Sequence, residues 1–229
     1  MRLYDRQGTP NAARIRIVVA EKGLEGTIEY VPVDLIAADQ KRPEFLAMNP
    51  IGKTPVLVLD DGLALSECVA ITEYLDNLDG NPVLTGTTAR EKGLIHMMHR
   101  RAEIMLLDPI DDYFHYGTAG LGAALRPWRK PDWTDGKREW GQRRGAEALA
   151  ALPWFEAALG NRPFLAGDRY TLADVTLMAA IDFARGVGPL AGELTASLAA
   201  WYARMAALPA VSARSGQELL AEDIQRMRQ

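Results

Sequence analysis

Thr54-Pro55-Val56-Leu57-Val58-Leu59-Asp60-Asp61-Gly62-Leu63-Ala64-Leu65-Ser66-Glu67-Cys68-Val69-Ala70-Ile71 is the stretch that decides the fold. Two short apolar runs, 56–59 and 63–65, flank Asp60-Asp61-Gly62, a tight-turn signal, so the three together read as a β-hairpin. Ser66 stands where a helix cap belongs, ahead of Ala70, Ile71, Tyr74 and Leu75 at helical spacing. Upstream, Leu3-Tyr4-Asp5 is a strand candidate, and residues 11–22 form an apolar-rich helix closed by Gly23. Residues 27–33 alternate with a period of two, and Pro32 suits an edge strand. A turn of helix from Pro43 to Met48 precedes the hairpin. The resulting order is β-α-β-α-β-β-α, an α/β unit with a mixed sheet.

Everything beyond about residue 88 reads as helix. Turn-rich Asp79-Gly80-Asn81-Pro82 and Thr85-Gly86-Thr87 make 79–87 the linker between a first domain, 1–78, and an all-α helical bundle domain, 88–229. Thr88-Ala89-Arg90-Glu91 fits a capping box and opens a long helix expected to end near Asp108-Pro109. Residues 117–136 are broken by glycine and proline and read as partly irregular. Helix resumes near Gly136, is divided by Pro153 and stops at Gly160. Thr171-Leu172-Ala173-Asp174 starts another helix that Gly186 should end, and a last one spans about 195–208, before Pro209. The charged tail from Gly216 is at most partly helical.

The 229 residues carry 26 Lys+Arg against 30 Asp+Glu, a net charge of −4, with 48% hydrophobic and 24% charged residues. Such a chain can bury a core without metal or disulfide and is not disordered. No apolar run approaches the ~20 residues of a membrane span, and no basic run supports nucleic-acid binding. The first residues lack a signal-peptide stretch and Cys68 is the only cysteine, so a cytoplasmic location is the default expectation.

Several residues could carry chemistry. Thr9, with Asn11 beside it, stands between the first strand and the first helix, where unpaired N–H groups lower the pKa of a bound thiol; either could instead be a plain helix cap. Were the Thr54-Pro55 bond cis, the backbone of Val56 could pair with an extended peptide; a trans proline opening a strand is the bland alternative. Glu67 and Cys68 open a helix, so a ligand carboxylate could meet the N–H groups and an ammonium the Glu67 side chain, unless Glu67 only complements the helix dipole. Lys53 could neutralise a second carboxylate, or be a solvated lysine.

In order and spacing these residues resemble the cytosolic glutathione S-transferases. Thr9-Pro10-Asn11-Ala12-Ala13-Arg14-Ile15-Arg16 is similar to the activating loop and first helix of bacterial members, including the nu type. Asn49-Pro50-Ile51-Gly52-Lys53-Thr54-Pro55-Val56-Leu57 resembles the glutathione-site turn, and Glu67-Cys68-Val69-Ala70-Ile71 the Glu-Ser-x-Ala-Ile helix start. Residues 164–174 look like the family's C-terminal folding motif. The resemblance implies a thioredoxin-like first domain and an all-helical second domain holding the electrophile site. It implies a Thr9 hydroxyl directed at the glutathione sulfur, a cis Pro55, and Val56 paired with the cysteinyl backbone. Glu67 and Cys68 would hold the γ-glutamyl head, and Lys53 the glycyl carboxylate. Cys68 departs from the usual Ser, which weakens its side-chain contact. Tyr4, inside the first strand, is the lesser rival to Thr9. Tyr113 and Tyr116 are the candidates to line the electrophile site.

The expected activity is therefore glutathione transfer, as in detoxification, with glutathione as co-substrate for attack on a small hydrophobic electrophile or a disulfide, in a two-fold homodimer. Two alternatives remain: a glutathione-dependent disulfide-bond reductase, suggested by the nu-type Thr-Pro-Asn, and a non-catalytic binding module. No cysteine occurs near residues 8–12, so a nucleophilic protein thiol is not expected there. His96 and His99 lack companion ligands, so no metal is expected. Asp108, Asp111 and Asp112 read as a solvated helix end, and Gly117, Gly120 and Gly122 match no phosphate loop.

Overall fold

The structure, a computed structural model, describes residues 1–118, 120–121, 128 and 136–213. Strand β1 (Arg2–Asp5) leads through helix α1 (Pro10–Glu21) to strand β2 (Glu29–Pro32). A single 3-10 turn and helix α2 (Pro43–Met48) come next, then strands β3 (Val56–Val58) and β4 (Ala64–Ser66) and helix α3 (Cys68–Asn77). The sheet order is β2-β1-β3-β4. β1 and β2 are parallel, which requires the α1 crossover, whereas β3 runs antiparallel to both β1 and β4. Pro32 lies on the edge strand, where a missing N–H breaks no ladder.

Successive residues of β3 serve opposite faces. Leu57 joins Leu3, Ile15, Ile71 and Leu75 beneath α1 and α3, while Val56 and Val58 join Val33 and Phe45 on the α2 side. A sheet covered on both faces explains why 56–59 is continuously apolar rather than alternating. Each fully buried side chain of this size stabilises the fold by about 1.5–3 kcal/mol. The hairpin closes as its sequence implies: Gly62 takes φ +89°, and Asp61 Oδ1 accepts the Leu63 N–H at 3.0 Å.

One detail of the hairpin exit differs. Ser66 does not cap α3, because it is still registered against Val56 in β4. Glu67 is left to turn the chain from strand to helix alone, and it does so at φ 70°, ψ 122°.

Helix α4 (Ala89–Ala102) opens the helical part of the chain, and Thr88 Oγ1 accepts the Glu91 N–H at its start. The other half of the expected box falls one residue earlier: the Glu91 carboxylate accepts from the N–H and hydroxyl of Thr87. Those bonds, from the Thr87 backbone above all, and Arg169 beside it hold the Glu91 carboxyl at about 2.

The chain does not leave its helix at Pro109. It passes through a π-helical turn (Glu103–Leu107), helix α5 (Asp108–Asp112) and a second π-helical turn (Tyr113–Gly117). Proline lacks an N–H and crowds the carbonyl four residues back, and the wide turn before α5 gives it room at the start of that helix. Helix α6 (Lys137–Ala150) follows Gly136 at φ +72°, and α7 (Leu152–Leu159) carries Pro153 in its first turn. Helix α8 (Leu172–Val187) has the expected Thr171–Asp174 capping box, but runs past Gly186 to Gly188, which takes φ +99°. Helix α9 (Ala196–Ala206) gives way to α10 (Pro209–Ala213), so Pro209 opens a helix instead of merely following one.

Buried along most of its length, α8 packs against α1, α4 and the first π turn and so joins the two domains. Its Asp174 also accepts from Leu165 N and Trp201 Nε1, at 2.8 and 3.0 Å. The Tyr170 hydroxyl donates to Glu21 across the same junction. Among the described residues no helix is long and apolar enough to cross a membrane. Trp133, most of the irregular stretch and the tail from Gly216 lie outside the described residues.

Candidate active site

Two adjoining hollows lie between the sheet and the helical wall formed by 103–117. They share Pro10, Asn11, Lys53, Thr54 and Asp111. The first, about 200 Å³, is bounded by Thr9, Leu35, Gln40, Lys41, Phe114, His115 and Phe183. The second, about 170 Å³, is polar, with Arg14, Glu67, Cys68, Arg100, Glu103 and Asp108 around it. One elongated ligand with charged ends and an apolar neighbour would fill both.

Thr9 occupies the N-cap position of α1 in extended conformation, yet its side chain makes no capping bond. Its hydroxyl donates to the Arg6 carbonyl at 2.9 Å. The first turn of α1 is therefore uncapped by any side chain and faces the cleft, where its N–H groups and dipole favour an anion. Asn11 lines both hollows, and its Oδ1 accepts from Arg14 Nη1 at 3.0 Å.

The turn before β3 is fastened by Asn49, whose Nδ2 donates to Lys53 O at 2.8 Å and whose Oδ1 accepts from Ile51 N at 3.1 Å. Gly52 is required there: φ is +64°, and a Cβ would lie 2.8 Å from both the Gln40 carbonyl and Lys41 Nζ. The Thr54-Pro55 bond is cis. Lys53 is 69% exposed at the rim and sits 3.8 Å from Asp111 across the cleft. Beside it is Lys41, a cation that the sequence reading missed. Lys41 donates to the carbonyls of Gly52 and Ile51, and burial, then Lys53, push its ammonium below the ordinary value. No motif marks it; only the fold brings residues 41 and 53 together.

Val56 departs from its expected role. It is fully buried and registered with Tyr4 on one side and Ser66 on the other, so its backbone belongs to the sheet. Thr54, two residues earlier, is the one that borders both hollows.

Glu67 and Cys68 bring the start of α3 to the polar hollow. Cys68 is 7% exposed and its thiol donates to the Asn11 carbonyl at 3.6 Å. Burial pushes that thiol up, which removes it as a nucleophile.

Tyr113 and Tyr116 face away from the cleft. The Tyr113 ring lies on α6 at Gly145, where a Cβ would stand 2.6 Å from it, and Tyr116 meets Trp140 edge-on at 5.3 Å. The intervening Phe114 and His115 line the apolar hollow instead, with Phe114 edge-on to Phe183 at 5.5 Å. Adjacent helical residues point about 100° apart, so aromatic content without the helix's rotation cannot say which ring faces in.

Asp111 is a second residue that sequence reasoning assigned to a solvated end. It borders both hollows, 3.4 Å from His115 Nε2. Burial raises its carboxyl, but the His115 hydrogen bond and charge, with Lys53, outweigh burial and the net shift is downward. The i,i+4 spacing of Asp111 and His115 was the available signal. Asp112 instead pairs with Arg144, and burial with Glu103 pushes Asp108 up.

His96 and His99 do not converge: His96 Nε2 meets Glu73 at 2.7 Å, whereas His99 is buried against Thr176 and Glu103. Among the described residues no group of three or more His, Cys, Asp or Glu side chains could hold a metal ion.

Comparison with known proteins agrees with this arrangement. Residues 1–77 match the family described as Glutathione S-transferase, N-terminal domain, and residues 124–209 the Glutathione S-transferase, C-terminal domain. Glutathione S-transferase 2 of Saccharomyces cerevisiae is 44% identical over 211 residues, covering 92% of this chain and 88% of that one. The crystal structure of Gtt2 from Saccharomyces cerevisiae superposes with a TM-score of 0.86, covering 93% of this chain and 99% of that chain at 44% identity. A glutathione S-transferase domain-containing protein of Marinobacter aquaeolei VT8 gives 0.83 at 40% identity, covering 92% of this chain and 100% of that one.

Proposed function

The chain belongs to the glutathione S-transferase family, and from that premise we propose that it is an enzyme that binds glutathione across both hollows and ionises its thiol for attack on an electrophile. The observation that carries the reading is convergence: the start of α1, the cis-proline turn and the start of α3 border one continuous cleft. The γ-glutamyl head lies at Glu67 and the N–H groups opening α3, and the glycyl carboxylate at Lys53 and Lys41. The cysteinyl backbone runs along Thr54, the cleft-facing residue of the turn. This puts the sulfur over the start of α1, beside Thr9 and Asn11. Hydrogen bonds to a charged group contribute about 1.5–3 kcal/mol, so each donor lowers the bound thiol by about one to two pKa units. His115, 3.4 Å from Asp111, borders the same hollow and suits the role of proton acceptor.

The apolar hollow takes the electrophile, against Phe114, Phe183 and Leu35. Attack forms the carbon–sulfur bond and expels the leaving group, with no covalent enzyme intermediate. Disulfide reduction and a non-catalytic role are not favoured, since the Saccharomyces cerevisiae relative at 44% identity carries a transferase name. Cytoplasmic residence, the division at 79–87 and a two-fold homodimer belong to the same reading. Exposed Met97 and Ile104 on the second domain, with Ile51 and Leu63 on the first, support association.

The test is a calorimetric and ultraviolet titration with reduced and oxidised glutathione. Saturable binding of the reduced form with a thiolate band supports transfer. Preference for the oxidised form indicates reduction, and no binding overturns the assignment. A monomer by light scattering would overturn the dimer.

A further inference from the structure

Arg14 is 2% exposed, yet lines the polar hollow from within α1. Its guanidinium spans the two domains. Nη1 donates to Asn11 Oδ1 at 3.0 Å, and Nη2 donates to Glu103 Oε1 at 3.0 Å. Glu103 stands at the first π turn of the second domain. Its Oε1 also lies 3.4 Å from His99 Nε2, and its Oε2 accepts from Arg100 at 3.1 Å. Burial raises the Glu103 carboxyl, but Arg14, His99 and Arg100 outweigh burial and hold it ionised. His99 Nδ1 lies 3.5 Å from Arg14 Nη2, which can only donate to it, and 3.0 Å from the Thr176 hydroxyl, which itself donates to the Leu172 carbonyl at 2.9 Å. That assigns the ring proton to Nε2, directed at Glu103, and burial keeps the ring neutral.

The consequence falls on Asn11. An amide has an acceptor end and a donor end, and Arg14 occupies the acceptor. The Nδ2 donors are thereby turned away from Arg14, on a side chain that borders both hollows. Thr9, by contrast, directs its only hydroxyl proton at the Arg6 carbonyl. We propose that Arg14, anchored by Glu103 of the second domain, is a positioning residue that fixes the Asn11 amide with its N–H groups toward the glutathione sulfur, making Asn11 rather than Thr9 the principal side-chain donor to the thiolate. This rests on the glutathione reading above. It makes thiol activation depend on docking of the helical domain, since half of the clamp comes from α4 and the turn after it.

The test measures the pKa of the bound glutathione thiol from its ultraviolet band in wild type, Arg14→Lys, Asn11→Ala and the double variant. Lysine keeps the charge but has one nitrogen, which cannot bridge Asn11 and Glu103 as a planar guanidinium does. We expect Arg14→Lys to raise the bound thiol by about one unit, a tenfold loss of thiolate, with KM for glutathione nearly unchanged. In the Asn11→Ala background the same change should add nothing, because its effect passes through Asn11. An equal shift in both backgrounds, or none in either, overturns the proposal. Should Arg14→Lys fail to fold, Glu103→Gln is read against Asn11→Ala in the same way, with about a threefold loss expected, since glutamine cannot accept from all three partners. Absence of a thiolate band in the wild type would instead break the glutathione reading itself.

Discussion

The turn at residues 49–56 and the helical wall at 103–117 face each other across one cleft and are built on different principles. The turn is held by its own neighbours: Asn49 bonds residues two and four positions on, and Gly52 supplies the φ the chain needs. The wall is held from outside. Its second π turn, and with it the inward aim of Phe114 and His115, is packed on α6, where Gly141 and Gly145 let backbone and ring approach closely. One side of the site is therefore local and the other tertiary, and they should fail in different ways.

The comparison breaks most sharply in acid. Burial, then Arg14, depresses His99 from 6.5 to about 4, so the unfolded chain takes up the proton first. Its contribution is complete above pH 6.5 and falls as pH drops toward 4, by about 3 kcal/mol in all. Urea midpoints between pH 7 and 4 should show this slope, and His99→Gln should flatten it. The 49–56 turn contains no corresponding group, since Lys53 is its only charged residue.

Next in size is Gly141→Ala. A Cβ there would stand 2.4 Å from Gly117 N, so the backbone of the wall must move, at a cost of about 2 kcal/mol. Turnover should fall more than glutathione affinity, because the displaced segment carries His115 and Phe114; steady-state kinetics separate the two. An equal loss in both would mean the wall is not independent of the turn.

Asn49→Ala strikes the local side. It removes both fastening bonds from a residue that is 2% exposed and should cost about 1.5 kcal/mol. Here affinity should fall before turnover at saturation does. The smallest effect expected is Lys53→Ala, a solvated cation whose loss should weaken glutathione binding by about 1 kcal/mol, roughly fivefold, without moving the bound thiol's pKa. A pKa shift in that variant would show that Lys53 acts beyond the glycyl end.

Legibility followed the same division. The β-hairpin and the helices α1 and α3 are readable because each is specified by neighbours in the chain, whereas the cis Thr54-Pro55 bond is implied only by the family resemblance. Val56 differs one step further on: a strand's exposed and paired edges depend on what lies beside it, and β3 is flanked on both sides. Pro109 reads as a stop in the sequence because a proline's clash is local, whereas the wide turn that relieves it is visible only in the helix. The resemblance points to Tyr113 and Tyr116, whereas the rotation of the helix assigns the cleft to Phe114 and His115.

By itself the sequence determined the order of elements, the α/β first domain, the helical second domain and the family's site motifs, since propensity, turn chemistry and capping act over a few residues. Only the tertiary structure decided that Lys41 joins Lys53, that the Asp111–His115 pair faces the cleft, and that Arg14 reaches Glu103 eighty-nine positions away to orient Asn11. The physical reason is that hydrogen bonds and ion pairs act over a few ångströms, and separation along the chain carries no record of which distant groups packing will bring that close.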